Sequence, residues 1–147
     1  MEKVVYIGSD HAGFEAKGIL ADYVKAKGYE VTDLGCFSED PCDYPDIGRE
    51  IGEKVIEREG SLGIGVCGSG VGISIALNKM KGVRCALVDK AEMAKQARIH
   101  NDVNAIALGG RYTDIEEMKK IVDAFLETPF ESGEERRVRR VEKLNVM

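Results

Sequence analysis

The sequence predicts an α/β fold: a single doubly wound parallel five-stranded sheet, flavodoxin-like or Rossmann-like, in a three-layer sandwich with a C-terminal helix. Three observations carry that expectation. Short β-rich runs alternate with stretches of helical periodicity along the whole chain, the pattern of a parallel sheet covered by helices on both faces. The 147 residues suit one domain, 1–147, with no internal repeat, low-complexity tract or interdomain linker. Connections of a single hand then leave few ways to order five parallel strands other than a doubly wound sheet.

The elements follow in order. Val4-Val5-Tyr6-Ile7 reads as a first strand and closes at Gly8-Ser9-Asp10-His11. A helix over about 14–27 carries Ile19, Leu20, Tyr23 and Val24 at helical spacing, and Gly28 stops it. Residues 29–34 form a second strand, and 35–44 form the longest loop, with two cysteines, acids and Pro41. Pro45 suits the first turn of a helix over about 45–58. A third, buried strand over 62–66 leads into a tight turn over 68–72 and a helix from Ile73 to Lys79. Residues 84–88 are a fourth strand, and 91–99 a helix closed by the polar run His100-Asn101-Asp102. Residues 105–108 are a fifth strand. Asp114 caps a helix reaching about Leu126, Pro129 breaks it, and a last helix covers about 132–144.

Doubly wound sheets bind ligands beyond the C-terminal ends of their strands. That rule places Asp10-His11, the turn 67–72, Asp89 and Gly109-Gly110-Arg111 at one edge of the molecule.

Composition narrows the function classes. With 21 basic and 26 acidic residues the net charge is −5, which argues against general nucleic-acid binding. No apolar run approaches the roughly 20 residues that span a bilayer. The run Met1-Glu2-Lys3-Val4-Val5-Tyr6 lacks the apolar stretch and cleavage site of a signal peptide, so a cytoplasmic protein is expected. Cys36, Cys42, Cys67 and Cys85 show no CxxC pairing, and only His11 and His100 add to them. A structural zinc site is therefore not expected, and all four cysteines are expected as free thiols.

The chemistry concentrates at Cys67-Gly68-Ser69-Gly70-Val71-Gly72. Alternating glycines let backbone approach a ligand, and the N–H groups of such a turn make an anion-binding nest. The turn also reads simply as chain reversal. It is neither a Walker loop nor a full dinucleotide fingerprint. Cys67 ends the strand that feeds the turn, where N–H dipoles favour a thiolate able to act as base or nucleophile. The other reading is a buried structural cysteine, as for Cys36, Cys42 and Cys85. At the same edge Asp10 suits sugar hydroxyls and His11 suits phosphate or proton transfer. His100 and Asn101 read either as a helix cap or as an acid/base group beside a hydroxyl ligand. Arg136 and Arg140, four apart on the last helix, can clamp a phosphate, but alone the run Arg136, Arg137, Arg139, Arg140 reads better as a solvated face.

Taken together, Ser9-Asp10-His11-Ala12-Gly13-Phe14, Asp43-Tyr44-Pro45, the turn 67–74, Asn78-Lys79, His100-Asn101-Asp102-Val103-Asn104, Gly109-Gly110-Arg111 and the closing arginine helix resemble the type B ribose-5-phosphate isomerase family. Galactose-6-phosphate isomerase subunits share its superfamily. The resemblance runs over essentially the whole chain. It implies interconversion of ribose 5-phosphate and ribulose 5-phosphate without metal or cofactor. It implies Cys67 as the general base acting through a cis-enediolate, with the N–H groups of Gly68, Ser69, Gly70, Val71 and Gly72 stabilising that enediolate. Ser69 stands where members often carry Thr. The resemblance also implies His100 for ring opening, Asp10 and Asn101 as hydroxyl ligands, Tyr44 in the pocket wall, and His11, Arg111, Arg136 and Arg140 around the phosphate. It implies a homodimer with a shared site, His100, Asn101 and Arg111 serving the partner's loop, and a small-molecule sugar phosphate as the binding partner rather than nucleic acid or membrane.

Two positions depart from the pattern. Some members carry a glutamate base where this chain has Ile73, and many carry Arg-His where it has Arg136-Arg137. Two further readings stay open: an isomerase of a six-carbon sugar phosphate, allose 6-phosphate or galactose 6-phosphate, and a non-catalytic phosphosugar-binding module.

Overall fold

The β-branched and aliphatic runs form five strands: β1 (Val4–Ser9), β2 (Glu30–Asp33), β3 (Leu62–Cys67), β4 (Cys85–Leu87) and β5 (Ala105–Gly109). Six helices separate and follow them: α1 (Phe14–Ala26), α2 (Tyr44–Glu57), α3 (Val71–Asn78), α4 (Ala91–Asn101), α5 (Ile115–Glu127) and α6 (Glu135–Asn145). This computed structural model describes residues 3–147. The Met1-Glu2 start of the leader reading lies outside them.

The strands make one all-parallel sheet in the order β2-β1-β3-β5-β4. Alternate residues serve opposite faces, as the strand period of two requires. Val5, Ile7, Ile64, Val66, Ile106 and Leu108 meet the buried stripes of α1, α4 and α5. Val4, Tyr6, Cys67, Ala105 and Ala107 meet α2 and α3 through Ile51, Val55, Ile73 and Leu77. The α2/α3 face is floored by small residues, so those helices sit close. At Gly65 a Cβ would come within 2.9 Å of Ile73 Cδ1. Each fully buried Ile or Leu contributes about 1.5–3 kcal/mol, so both faces are needed.

Both steps toward the β2 edge, β1 to β2 and β4 to β5, cross on the α1/α4 face. Both steps toward the β4 edge, β2 to β3 and β3 to β4, cross on the α2/α3 face. All four crossovers thus share one hand. The order departs from the flavodoxin order only in its last two strands. It reverses between β1 and β3, which opens a crevice beyond their C-terminal ends.

Several boundaries move from the expected ones. α3 begins at Val71, not Ile73, because Gly70 already occupies the capping position. α4 runs on through His100 and Asn101, and Asp102 ends it with φ 47°. The last helix starts at Glu135 because Ser132 and Gly133 form a turn ahead of it. The Asp114 cap is as expected: its side chain accepts from the Glu117 N–H at 2.8 Å.

Candidate active site

The crevice between β1 and β3 is built by backbone pairing that continues past the strands. The Asp10 N–H donates to Val66 O at 3.1 Å, carrying the β1–β3 ladder one residue further. Asp10 then caps a single 3₁₀ turn, His11–Gly13, its Oδ1 accepting from the Gly13 N–H at 3.1 Å. Its carboxylate is buried and His11 is exposed.

Across the crevice, β3 ends on Cys67, 4% exposed. The Gly70 N–H donates to Cys67 Sγ at 3.1 Å. That contact needs the chain to double back, and Gly70 does so with φ 81°, a conformation that disfavours any side chain. A Cβ there would also strike Leu87 and the Leu108 carbonyl carbon. The exposed Ser69 Oγ accepts from the Val71 N–H at 3.2 Å, so donor groups crowd the N-terminus of α3.

Two neighbours close over the glycines. A Cβ on Gly72 would lie 2.6 Å from the Tyr44 ring, and one on Gly68 would lie 3.3 Å from Arg111 Nη1. Arg111 is held there by its own backbone: its N–H donates to Gly68 O at 3.0 Å, and the Gly110 N–H to Cys67 O at 2.8 Å. The chain therefore gathers Asp10, His11, Tyr44, Gly68, Ser69, Gly70, Val71, Gly72, Cys67 and Arg111 at one edge. Arg111 is beside the turn of its own chain, at the edge where the strand-end rule places it, whereas the resemblance implied that it serves a partner's loop.

The remaining site residues lie elsewhere. α4 runs back toward the start of the sheet, where Asn104 O accepts from Gly63 N at 2.9 Å and Asn104 N donates to Arg84 O at 3.0 Å. His100 and Asn101, in the last turn of α4, sit at that opposite end. They line a groove of about 680 Å³ along β4 with Leu87, Met93, Leu144 and Met147. α6 packs on α4 and is tied to the same end by Arg84 Nη1 donating to Asn145 Oδ1 at 2.6 Å. One chain thus does not bring His100, Asn101, Arg136 or Arg140 to Cys67. Arg137 and Arg139 have local partners, Glu131 at 3.6 Å and Glu135 at 3.0 Å, and Arg136 lies 3.5 Å from Glu134.

The cysteines divide differently from the expectation. All four are expected as thiols, yet the structure joins Cys36 and Cys42 in a disulfide and leaves Cys67 and Cys85 free. The loop folds back so that the two Cα atoms are 6.7 Å apart, within the reach of a bridge. Compartment arguments carry no such geometry. Burial pushes the Cys85 thiol up to about 12, so at neutral pH it stays protonated and inert.

The bridged loop also touches the site. The Cys42 N–H donates to His11 Nδ1 at 3.4 Å. A neutral imidazole so held carries its own proton on Nε2. Sequence reasoning passed over one residue of this region, Lys17, buried behind the loop. The signal was its place on the stripe Lys17, Leu20, Ala21, Val24, which α1 turns inward.

Comparison with known proteins finds relatives over nearly the whole chain. The profile of the family described as Ribose/Galactose Isomerase matches residues 5–144. The chain is 43% identical to ribose-5-phosphate isomerase B of Mycobacterium leprae, over 95% of this chain and 86% of that protein. It is 40% identical to galactose-6-phosphate isomerase subunit LacB of Clostridium acetobutylicum, over 90% and 76%. Among solved structures, a ribose 5-phosphate isomerase of Thermotoga maritima superposes with a TM-score of 0.94 at 41% identity, covering 100% of both chains. Ribose-5-phosphate isomerase B of Mycoplasma genitalium, solved with bound ribulose-5-phosphate, superposes with a TM-score of 0.92 at 39% identity, over 99% and 95%.

Proposed function

The chain belongs to the ribose/galactose isomerase family, and from that premise we propose that it interconverts D-ribose 5-phosphate and D-ribulose 5-phosphate through a cis-enediolate, with Cys67 as general base. One observation carries the reading: a thiol and an N–H donor, Cys67 Sγ and Gly70 N, converge at 3.1 Å on a glycine turn at the switch point of the sheet.

The chemistry needs one base, donors for a developing oxyanion, and a grip on the substrate remote from the reacting carbons. The Cys67 thiolate takes the proton from C2 of the open-chain aldose. The C–H electron pair forms the C1–C2 double bond, and the aldehyde oxygen becomes the enediolate oxyanion. N–H groups of Gly68, Ser69, Gly70, Val71 and Gly72 face that charge, with the Ser69 hydroxyl beside them. The same proton returns to C1 while the C2 hydroxyl proton passes to the oxyanion on O1, leaving a C1 hydroxyl and a C2 ketone. His100 opens the furanose ring by taking the anomeric hydroxyl proton and returning a proton to the ring oxygen. Asp10 and Asn101 hold sugar hydroxyls and Tyr44 forms the wall. His11, Arg111, Arg136 and Arg140 hold the phosphate.

This assignment requires two copies of the chain. His100, Asn101, Arg136 and Arg140 lie at the end of the sheet away from Cys67, so they serve the crevice of a second copy in a homodimer. No helix among the described residues is long and apolar enough to cross a membrane, and the reading is of a cytoplasmic enzyme working without metal or cofactor.

The test is incubation with ribose 5-phosphate at neutral pH in the presence of a chelator, following the ketose carbonyl by its ultraviolet absorbance. Turnover is expected. Tight binding without turnover and without exchange of the C2 proton with solvent supports a binding module instead. The likeness to a galactose-6-phosphate isomerase subunit favours one second reading, a six-carbon substrate. Presence of Asp10, His11, Cys67 and His100 together favours the pentose, so kcat/KM is expected to be higher on ribose 5-phosphate than on allose 6-phosphate or galactose 6-phosphate.

A further inference from the structure

Lys17 is a buried charge with no part in the chemistry above. It is 2% exposed in the first turn of α1. Its Nζ donates to Asp33 Oδ1 at 3.0 Å and to the carbonyl of Cys36. It lies 5.0 Å from the ring centroid of Phe14 and 5.5 Å from that of Phe37. An ammonium buried this way carries a desolvation cost that its pairing offsets, and an apolar side chain of similar volume often serves stability as well. Stability alone is therefore a poor account of Lys17.

What the ammonium holds is a segment of backbone. Asp33 Oδ1 also accepts from the Gly35 N–H at 2.9 Å. Gly35 O accepts from Ser9 N, and Cys36 N donates to Ser9 O, each at 2.7 Å. Lys17 thus pins the turn after β2 against the last residue of β1, one residue before Asp10. From Cys36 the disulfide carries that constraint across the loop to Cys42. The Cys42 N–H reaches His11 Nδ1, and two residues later Tyr44 lies over Gly72.

We propose that Lys17 is a positioning residue of the site: by anchoring the strap 33–44 it presents the Cys42 N–H to His11, which fixes the His11 ring and leaves its Nε2 proton directed to the substrate's phosphate. The phosphate role rests on the function proposed above; the hold on the His11 ring does not.

The chain has only two histidines, His11 and His100, which makes the ring states separately readable. Nitrogen-15 NMR of the imidazoles is compared between the native protein, Lys17→Met and Asp33→Asn. The Asp33→Asn change touches the half-buried end of the pair and covers the case in which Lys17→Met does not fold. Native His11 is expected as the Nε2–H tautomer, shifting to a mixture in both variants while the His100 signals stay in place. An unmoved His11, or equal movement of both histidines, overturns the proposal. In kinetics on ribose 5-phosphate, the variants are expected to raise KM about tenfold with kcat within about twofold, the pattern of lost remote binding. In a His11→Ala background the same changes should add little, because the effect passes through that ring. Fully additive losses overturn the positioning role. If the native protein does not turn over ribose 5-phosphate, the proposed function fails while the NMR comparison still decides whether Lys17 holds His11.

Discussion

The two ends of the sheet are built differently. At the C-terminal end the candidate site residues are set by main-chain bonds: Asp10 N to Val66 O, Gly110 N to Cys67 O, Arg111 N to Gly68 O. At the other end His100 and Asn101 are exposed in the last turn of α4, beside apolar side chains that stay uncovered, Leu144 at 44% and Met147 at 83%. The first end is preorganised within one chain, since backbone geometry leaves Cys67 and its donor little freedom. The second is an exposed surface, and on the proposed reading its polar residues work only when a second copy covers them. If the site is divided as proposed, catalysis depends on assembly.

The largest effect should come from the preorganised end. Cys67→Ala is expected to lose about 10²–10⁴-fold in kcat, the usual contribution of a positioned base, with KM little changed in steady-state assays. Retained turnover would move the base elsewhere. Next is the division itself. When Cys67→Ala and His100→Ala subunits are mixed and exchanged, random pairing yields intact sites in about a quarter of the total if each site draws on both chains. Recovery to about that fraction of native activity is expected, and mixtures no more active than their parents would place both ends in one chain. A smaller change tests the cover: Met93→Glu puts a charge into the groove and should shift the dimer toward monomer by analytical ultracentrifugation, with far-ultraviolet circular dichroism unchanged. The smallest is a control at the well-built end. Asp114→Ala removes the α5 cap and should cost about 1 kcal/mol in thermal or urea unfolding, with kcat and KM left alone.

Legibility in the sequence follows the same division. β1, β3, β5, the glycine turn and the Asp114 cap are local features, written in runs of a few residues, and they appear where periodicity and punctuation place them. The order of the last strands is not local. A three-residue strand, Cys85–Leu87, carries no mark that it lies outside β5. Spacing on α4 shows His100 and Asn101 in succession but not which end of the sheet α4 returns to. The strand-end rule puts Arg111 at the right edge, but that it closes over the turn of its own chain shows only in two backbone bonds no motif encodes. Arg137 and Arg139, a bare charge run in the sequence, resolve only when Glu131 and Glu135 are seen beside them. The Cys36–Cys42 bridge was hidden for the opposite reason: the compartment argument spoke against it, and only the fold of the loop brings the sulfurs together.

The insertion of β5 between β3 and β4 has a consequence for how the protein is made. A chain is synthesised from its N-terminus, and domains fold as their parts emerge. Until residues 105–109 leave the ribosome, β3 has no neighbour on that side, and β4 has none at all. The carbonyls of Cys67 and Gly68 likewise wait for the amides of Gly110 and Arg111. Every residue of the glycine turn exists by mid-synthesis, yet the turn is braced only when the last strand slides into the middle of the sheet. Nascent chains shorter than that carry Cys67 without the scaffold that positions it.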